Sequence, residues 1–493
     1  MTHDTDMLIV GAGFSGLIMA IEARKRGIHN IAILEKADDI GGTWRENTYP
    51  GVACDVPSHL YSMATHPNPD WTRAYAGGAE IWDYMRRVAR DEGLYDLCHF
   101  HTELKSARWD GTHWQVETTG GAQWTARFLV SAIGALHIPS TPEIPGAAGF
   151  PGPAFHSAQW DHTVPLQGKR IAVVGTGASA VQFVPEIAKT AAHVTIFQRS
   201  APYVLPRPDG PIASWVRHLY RRIPLLPRIR RQFIYWLFEF RHRVFRGEKR
   251  AVDFAMKMWR KGLEEAISDP EMRRILTPDY RIGCKRVLSS NDWYPALARD
   301  NVSVIPHGVE RIEESEIIAT DGSRTAADIL IWGTGFHVTD AVQRLDIRGA
   351  DGLSLPDVWA EGMQANLGTA IAGFPNFFIL LGPHTGLGHN SVVLMIEAQV
   401  AHIGRVLAEM QRAGLPAIAP NADRQADFTR EMQERHADSV WQAGGCTSWY
   451  QDAQGRNTTL WPGTVSEFRK RLAKAGLEHY HRVDPAQTKG PPS

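Results

Sequence analysis

Two short glycine patterns have the residue types and spacing needed to hold a diphosphate. Gly11-Ala12-Gly13-Phe14-Ser15-Gly16 follows the apolar run 7–10, and Gly175-Thr176-Gly177-Ala178-Ser179-Ala180 follows the apolar run 171–174. A helix pattern comes next in each case, so both read as the first strand–turn–helix unit of a dinucleotide fold. Gly11 and Gly175 allow the tight turn, while Gly13 and Gly177 let amides at a helix N-terminus approach the anion. Ala180 replaces the third glycine, which the nicotinamide form of the pattern tolerates. One such pattern is weak evidence, because it is short and glycine is common. Two, each flanked by strand and helix, are much stronger.

The following strands carry the next chemical signal. The run 31–34 ends at Glu35, and the run 194–197 leads to Gln198-Arg199-Ser200. Glu35 lies 24 residues after Gly11, and Arg199 lies 24 residues after Gly175. An acid at this position accepts hydrogen bonds from a ribose with free hydroxyls, as in FAD or NAD. An arginine there suits a ribose 2′-phosphate, so the second copy is expected to take NADP(H). The competing reading is two solvated charges at strand ends. Two more strands are expected to return to these sites, 128–132 leading to Ile133-Gly134 and 329–332 leading to Gly333-Thr334-Gly335. Both would place small residues beside a cofactor; a plain strand with a glycine turn is an equal alternative.

The elements that position these residues belong to a balanced chain. It has 493 residues, 53 Lys plus Arg against 53 Asp plus Glu, and 43% apolar residues, which excludes wholesale disorder and a surface built throughout for nucleic acid. No apolar run is long enough to span a bilayer. The acidic N-terminus runs straight into a strand, so no signal peptide is expected. Cys54, Cys98, Cys284 and Cys446 are far apart, with no CxxC and no zinc spacing; they read as reduced thiols of a cytoplasmic protein. From 211 to 250 there are eleven Arg or Lys against Glu239 and Glu248, interleaved with aromatic residues. This segment is expected to form helices broken at Pro224 and Pro227. A helical cap over a substrate pocket, a weak membrane-surface contact and a nucleic-acid patch compete there, the cap being the leading reading.

Between the two nucleotide units lies Phe150-Pro151-Gly152-Pro153-Ala154-Phe155-His156-Ser157-Ala158-Gln159-Trp160-Asp161. It matches FxGxxxHxxxW followed by Pro or Asp, and through Phe150, Gly152, His156, Trp160 and Asp161 the chain resembles the Baeyer–Villiger monooxygenases. Flavin monooxygenases that oxygenate nitrogen or sulfur have a similar pattern but typically lack the Trp. His156 and Trp160, four apart, are expected on one face of a short linker. On its own His156 reads as a structural residue; the resemblance gives it a part in coupling domain motion, not in proton transfer.

The resemblance covers nearly the whole chain. Gly41-Gly42-Thr43-Trp44, Tyr49-Pro50-Gly51 and Cys54-Asp55, continuing through Tyr61 to Ser62, are similar to the family's flavin-proximal stretch. Gly283-Cys284-Lys285-Arg286 is similar to the segment that brings an arginine over the flavin. Ser448-Trp449-Tyr450 resembles the segment that closes on the nicotinamide cofactor, and 382–391, with Asn390, resembles a second FAD contact region. Lys36, Leu104, Gly134 and Gln182 are implied as further cofactor contacts. Arg45-Glu46 departs from the pattern, since many members carry aromatic residues there.

The implied fold is α/β, with two Rossmann-like dinucleotide-binding domains. FAD would be bound by 1–141 and 340–493, and NADP by 142–339 with a helical insertion at about 211–280. In the implied reaction NADPH reduces FAD, O2 adds to give a C4a-peroxide, and this anion attacks an apolar ketone to yield an ester or lactone. Arg286 would stabilise the negative charge, Asp55 would orient Arg286, and Lys285 would join Arg199 and Ser200 around the 2′-phosphate. Without the resemblance, Asp55 and Arg286 read as an ordinary salt bridge and Trp449 as core. Oxygenation of sulfur or nitrogen is the alternative, and a nucleotide-binding membrane-surface protein with little turnover is a more distant one. A disulfide reductase is set aside because the sequence shows no redox cysteine pair.

Overall fold

The computed structural model of the chain describes residues 2–338 and 345–484. The expected boundary between 339 and 340 lies outside them. Its frame is two mainly parallel sheets. In the larger, Phe377–Ile379, Gln123–Ser131, Thr2–Val10, Ile31–Leu34 and Cys98–His99 run parallel in that order, and Leu104–Trp109, Trp114–Thr118 and Gln123–Ser131 form an antiparallel meander. The smaller has the parallel order Val302–Ile305, His193–Phe197, Arg170–Val174, Ile329–Trp332, Ala154–His156. Ile31–Leu34 and Ile329–Trp332 are buried at every residue, which explains their unbroken apolar sequence: parallel strands are covered on both faces.

Register brings the chemical residues together. Val10 pairs with Leu34 and with Ser131, so Gly11, Glu35 and Ala132 emerge at one edge. Val174 pairs with Phe197 and with Trp332, which does the same for Gly175, Gln198 and Gly333. Gly11 has φ +107° and Gly175 φ +102°; a Cβ would lie 2.6 Å from the Ala132 carbonyl oxygen in one and 2.5 Å from that of Gly333 in the other. Both turns therefore exclude any larger residue. The third position differs for a local reason. A Cβ on Gly16 would lie 1.9 Å from the Gly11 carbonyl oxygen, whereas the Cβ of Ala180 finds room against Gly333.

Three expectations are corrected. Pro224 separates Ser214–Arg222 from Leu225–Phe240, but Pro227 sits inside the first turn of the second helix, where a missing N–H breaks no hydrogen bond. His156 and Trp160 do not share a helical face, because His156 ends the strand Ala154–His156 and Trp160 follows the tight turn Ser157–Gln159. The cysteines are not all reduced. Cys284 and Cys446, 162 residues apart, form a disulfide with a Cα–Cα distance of 6.1 Å, while Cys54 and Cys98 are free. That pair was invisible because sequence spacing does not report what the fold brings together. No helix among the described residues is long and apolar enough to cross a membrane.

Candidate active site

The first nucleotide turn is built around a held carboxylate. Glu35 is buried and accepts hydrogen bonds from the Ala12 amide at 2.8 Å and the Ala37 amide at 2.9 Å, so it is not a solvated strand-end charge. Gly13 precedes the helix Phe14–Lys25 without a side-chain cap, which leaves amides of the first turn, starting at Phe14 and Ser15, for an anion. Gly42 closes the opposite wall, since a Cβ there would lie 3.3 Å from the Gly13 Cα. Trp44 Nε1 donates to the Tyr61 hydroxyl at 3.2 Å, and Phe14 meets the Tyr61 ring edge-on at 5.3 Å. Thr43 and Lys36 are exposed beside this cradle. Leu104 lies in the apolar core behind the sheet. Gly134 has φ +73°, and a Cβ there would meet nothing within 4 Å. A cradle that an added Cβ would fill, uncapped amides and a buried acid fit FAD.

The second turn offers positive charge instead. Gly177 precedes the uncapped helix Ala178–Ile187, with Ser179 in its first turn. Arg199 is exposed and forms no ion pair among the described residues. Lys285 Nζ donates to the Ser200 hydroxyl at 2.6 Å; burial, then the nearby Arg199 charge, lowers the lysine pKa. A lysine on the Ser200 hydroxyl with the Arg199 charge nearby fits an anion of phosphate type, as the NADPH 2′-phosphate requires. The Gln182 side chain is engaged elsewhere. It accepts from the Tyr49 hydroxyl at 3.0 Å and donates to the Ala53 carbonyl at 2.9 Å, joining the second turn's helix to the flavin-proximal stretch.

Between the two turns lies the ion pair of Asp55 and Arg286. Arg286 Nε and Nη2 donate to the two oxygens of Asp55 at 2.8 and 2.9 Å, and the Asp55 charge raises the arginine pKa further. Sequence reasoning missed two neighbours. The Arg241 guanidinium lies over Phe238 at 3.6 Å; burial lowers its pKa, and the Tyr75 hydroxyl and then the Asp55 charge oppose that. Tyr450 is buried beside Arg286, and burial pushes its phenol up to about 12. Trp449, tilted against it with centroids 4.3 Å apart, is 43% exposed. The Cys284–Cys446 disulfide fastens the Trp449-Tyr450 segment to the segment carrying Lys285 and Arg286, and the Arg281 amide donates to the Gly444 carbonyl at 2.9 Å alongside it.

The fingerprint residues serve the smaller sheet. A Cβ on Gly152 would lie 2.2 Å from the Asp328 carbonyl oxygen, and Phe150 packs in a core cluster with Trp332. His156 Nδ1 accepts from the Ala158 amide at 3.1 Å, while its ring meets Phe336 beside the Gly333–Gly335 turn. Trp160 packs on Phe155 and Phe183, and Asp161 accepts from the Thr163 amide at 2.9 Å. Asn390 donates to Glu239 at 3.1 Å. Glu239 also accepts from the amides of Val465 and Ser466 at 3.3 and 2.7 Å, at the start of the helix Val465–Lys474. Burial would raise its pKa, but donors from His389, Ser466 and Asn390 outweigh that and hold it at about 2. The only signal of this role was a carboxylate inside a strongly basic segment.

Comparison with known proteins agrees with this geometry. Residues 8–222 match the family model described as pyridine nucleotide-disulphide oxidoreductase. A Baeyer–Villiger monooxygenase of Streptomyces coelicolor is 44% identical over 481 residues, spanning 97% of this chain and 92% of its own length. A solved oxidised steroid monooxygenase bound to NADP superposes with a TM-score of 0.86 at 29% identity, covering 98% of this chain and all of that one. A structure titled as an OTEMO complex with FAD and NADP gives 0.86 at 26% identity, with coverage of 97% and 99%. At this identity and coverage, with two dinucleotide turns and the linker fingerprint in place, the chain belongs to the Baeyer–Villiger monooxygenases, FAD- and NADPH-dependent oxidoreductases that use O2 to insert oxygen next to a ketone carbonyl.

Proposed function

We propose that the chain oxygenates apolar ketones at Arg286, with FAD held by the larger-sheet unit and NADPH by the smaller. The Asp55–Arg286 pair carries this reading. It joins the flavin-proximal stretch to the segment whose Lys285 reaches Ser200. When bound, FAD supplies activation of O2 and NADPH supplies the hydride. Arg286 offers a charge that cannot be lost, aimed where negative charge develops on oxygen during attack at a carbonyl. Asp55 fixes the plane of that guanidinium. Arg199, Ser200 and Lys285 hold the 2′-phosphate, and the tethered Trp449-Tyr450 segment shields the site from water.

The apolar substrate class is supported by the apolar side chains packed around the segment that leads to Arg286. Phe245 and Trp441 stack at 5.4 Å, and both press on Gly388, while Phe245 also covers Gly283. The test is incubation with NADPH, isotopically labelled O2 and a panel of linear, cyclic and aromatic ketones. Esters or lactones carrying one labelled oxygen are expected; no labelled ester from any ketone would end the proposal. A sulfide in the same panel that is oxygenated while every ketone is left untouched would favour the sulfur- or nitrogen-oxygenating alternative. Cofactor choice is tested separately. Arg199→Ala is expected to raise the KM for NADPH by about 10- to 100-fold with little change for NADH, because a charge-assisted contact to phosphate is lost. Equal losses for the two would contradict the 2′-phosphate assignment.

A further inference from the structure

The helix Leu225–Phe240 has two apolar faces, and one of them faces water. Its inner face, with Ile234, Tyr235 and Phe238, is buried in the same core cluster as Trp44 and Leu387. Arg231 anchors this face by donating to the Leu60 and Ser62 carbonyls and pairing with Glu397 at 3.0 Å. At 3.6 residues per turn, Leu225, Ile229, Phe233, Trp236, Leu237 and Phe240 fall within an arc of roughly 120° on the opposite side. Each of these six is more than half exposed, from 52% at Leu237 to 63% at Phe240. The preceding helix, Ser214–Arg222, touches this one and adds Trp215 at 69% exposure, followed by Leu219 and Ile223. Isolated exposed apolar residues need no explanation; a contiguous stripe of this length does.

Charge selects the occupant. Arg228 and Arg230 stand on either side of the exposed arc, and Arg222 lies just before the helix. All three are exposed, and none forms an ion pair among the described residues. The segment's two carboxylates are not available to them: Glu239 is buried on the inner face and Glu248 pairs with Arg243 at 3.3 Å. A second copy docking through the same face would bring these arginines against their own equivalents, which is unfavourable. An anionic lipid surface offers both an apolar layer for Phe233, Trp236 and Phe240 and phosphates for the flanking guanidinium groups.

We propose that this face docks the enzyme on anionic bilayer surfaces, lying in the interface without crossing it. The inner face of the same helix packs beside the Tyr61 stretch and bonds Asn390, so docking sets the candidate active site about one helix diameter, ~10 Å, from the lipid. An apolar ketone dissolved in the bilayer would then have a short path to it. Docking itself does not depend on the oxygenation reading and is measured without turnover.

The test is flotation of the full-length, FAD-loaded protein with vesicles of phosphatidylcholine, with and without phosphatidylglycerol, at low and high salt. Binding to the anionic vesicles at low salt, weakened by salt and by omission of phosphatidylglycerol, is expected. The combined variant Phe233→Ser, Trp236→Ser, Phe240→Ser should lower partition by more than about tenfold, and so should Arg222→Glu with Arg228→Glu and Arg230→Glu. Flavin absorbance and thermal unfolding should stay unchanged in both, since all six side chains point outward. No flotation of the unmodified protein at low salt, or equal flotation of the serine variant, overturns the proposal. A dimer in sedimentation that the serine variant converts to monomer overturns it as well, and assigns the face to a second copy.

Discussion

Arg286→Ala is expected to lower ester formation by about 10²–10³-fold or more, about 3–4 kcal/mol of transition-state stabilisation, while NADPH still reduces the bound flavin. The separation follows from where the contacts lie. The phosphate-type site is formed by Arg199, Ser200 and Lys285, and Lys285 reaches Ser200 without help from its neighbour Arg286. Removing Arg286 leaves the Cys284–Cys446 disulfide and the backbone bond from the Arg281 amide to the Gly444 carbonyl in place, so the loop keeps a reason to fold. What disappears is the positive charge set between the two nucleotide turns, needed only when oxygen becomes negative. Arg286→Lys separates charge from geometry. It retains the cation but not the two-point contact to Asp55, and should recover part of the activity. Rapid-mixing absorbance of the flavin, product analysis of ester and assay of hydrogen peroxide read the three steps separately. Reduction that fails together with ester formation would move Arg286 to NADPH binding, and unchanged ester formation would remove it from the site.

What was legible in the sequence was local. The nucleotide turns could be read because their glycines answer to atoms within a few residues or on the adjacent strand: a Cβ at Gly11 or Gly175 meets a neighbouring strand-end carbonyl. Glu35 and Arg199 were readable for the same reason, since strand and helix lengths fix where the next strand ends. Pro227 was misread because helix breaking depends on position in the turn, which spacing alone does not supply. Tyr450, Arg241, Glu239 and the Cys284–Cys446 bond were hidden for a different reason. Each acts across more than a hundred residues of chain, and their partners are chosen by the packing of the two sheets and the helical insertion. The resemblance narrowed attention to Trp449, yet the buried ring against Arg286 is the next residue. In the insertion, the count of basic and aromatic residues was plain in the sequence. Which face of Leu225–Phe240 meets the core was not, because both faces are apolar.

The buried histidines lead to an expected loss of stability in mild acid. Burial pushes His59, His242, His402 and His436 down to about 4, and His384 to about 3; like-charged neighbours add to this, among them His389 at His242 and His436 at His384. Unfolded, each titrates near its ordinary value of 6.5. Between those values the unfolded chain binds more protons than the folded one, so stability rises with pH across this window. The contribution is fully present above about 6.5 and is lost as pH falls toward about 4. At pH 5 the loss amounts to roughly 1–2 kcal/mol for each histidine, hence several kcal/mol in sum, comparable with the whole stability of many domains. Carboxylates do not explain a loss in this range: Glu239 and Asp328, both held near 2, give up their contribution only below about 4.5. Urea unfolding monitored by tryptophan fluorescence should therefore show a midpoint that drops between pH 7 and pH 5. A midpoint independent of pH over that range would refute the argument. His436→Gln refines it, because His436 Nε2 lies 2.9 Å from the Leu460 carbonyl and a glutamine amide can donate there without titrating. That variant should recover at pH 5 only its own roughly 1–2 kcal/mol of the loss and show a correspondingly shallower dependence on pH, whereas loss of a merely structural contact would lower the midpoint equally at both ends.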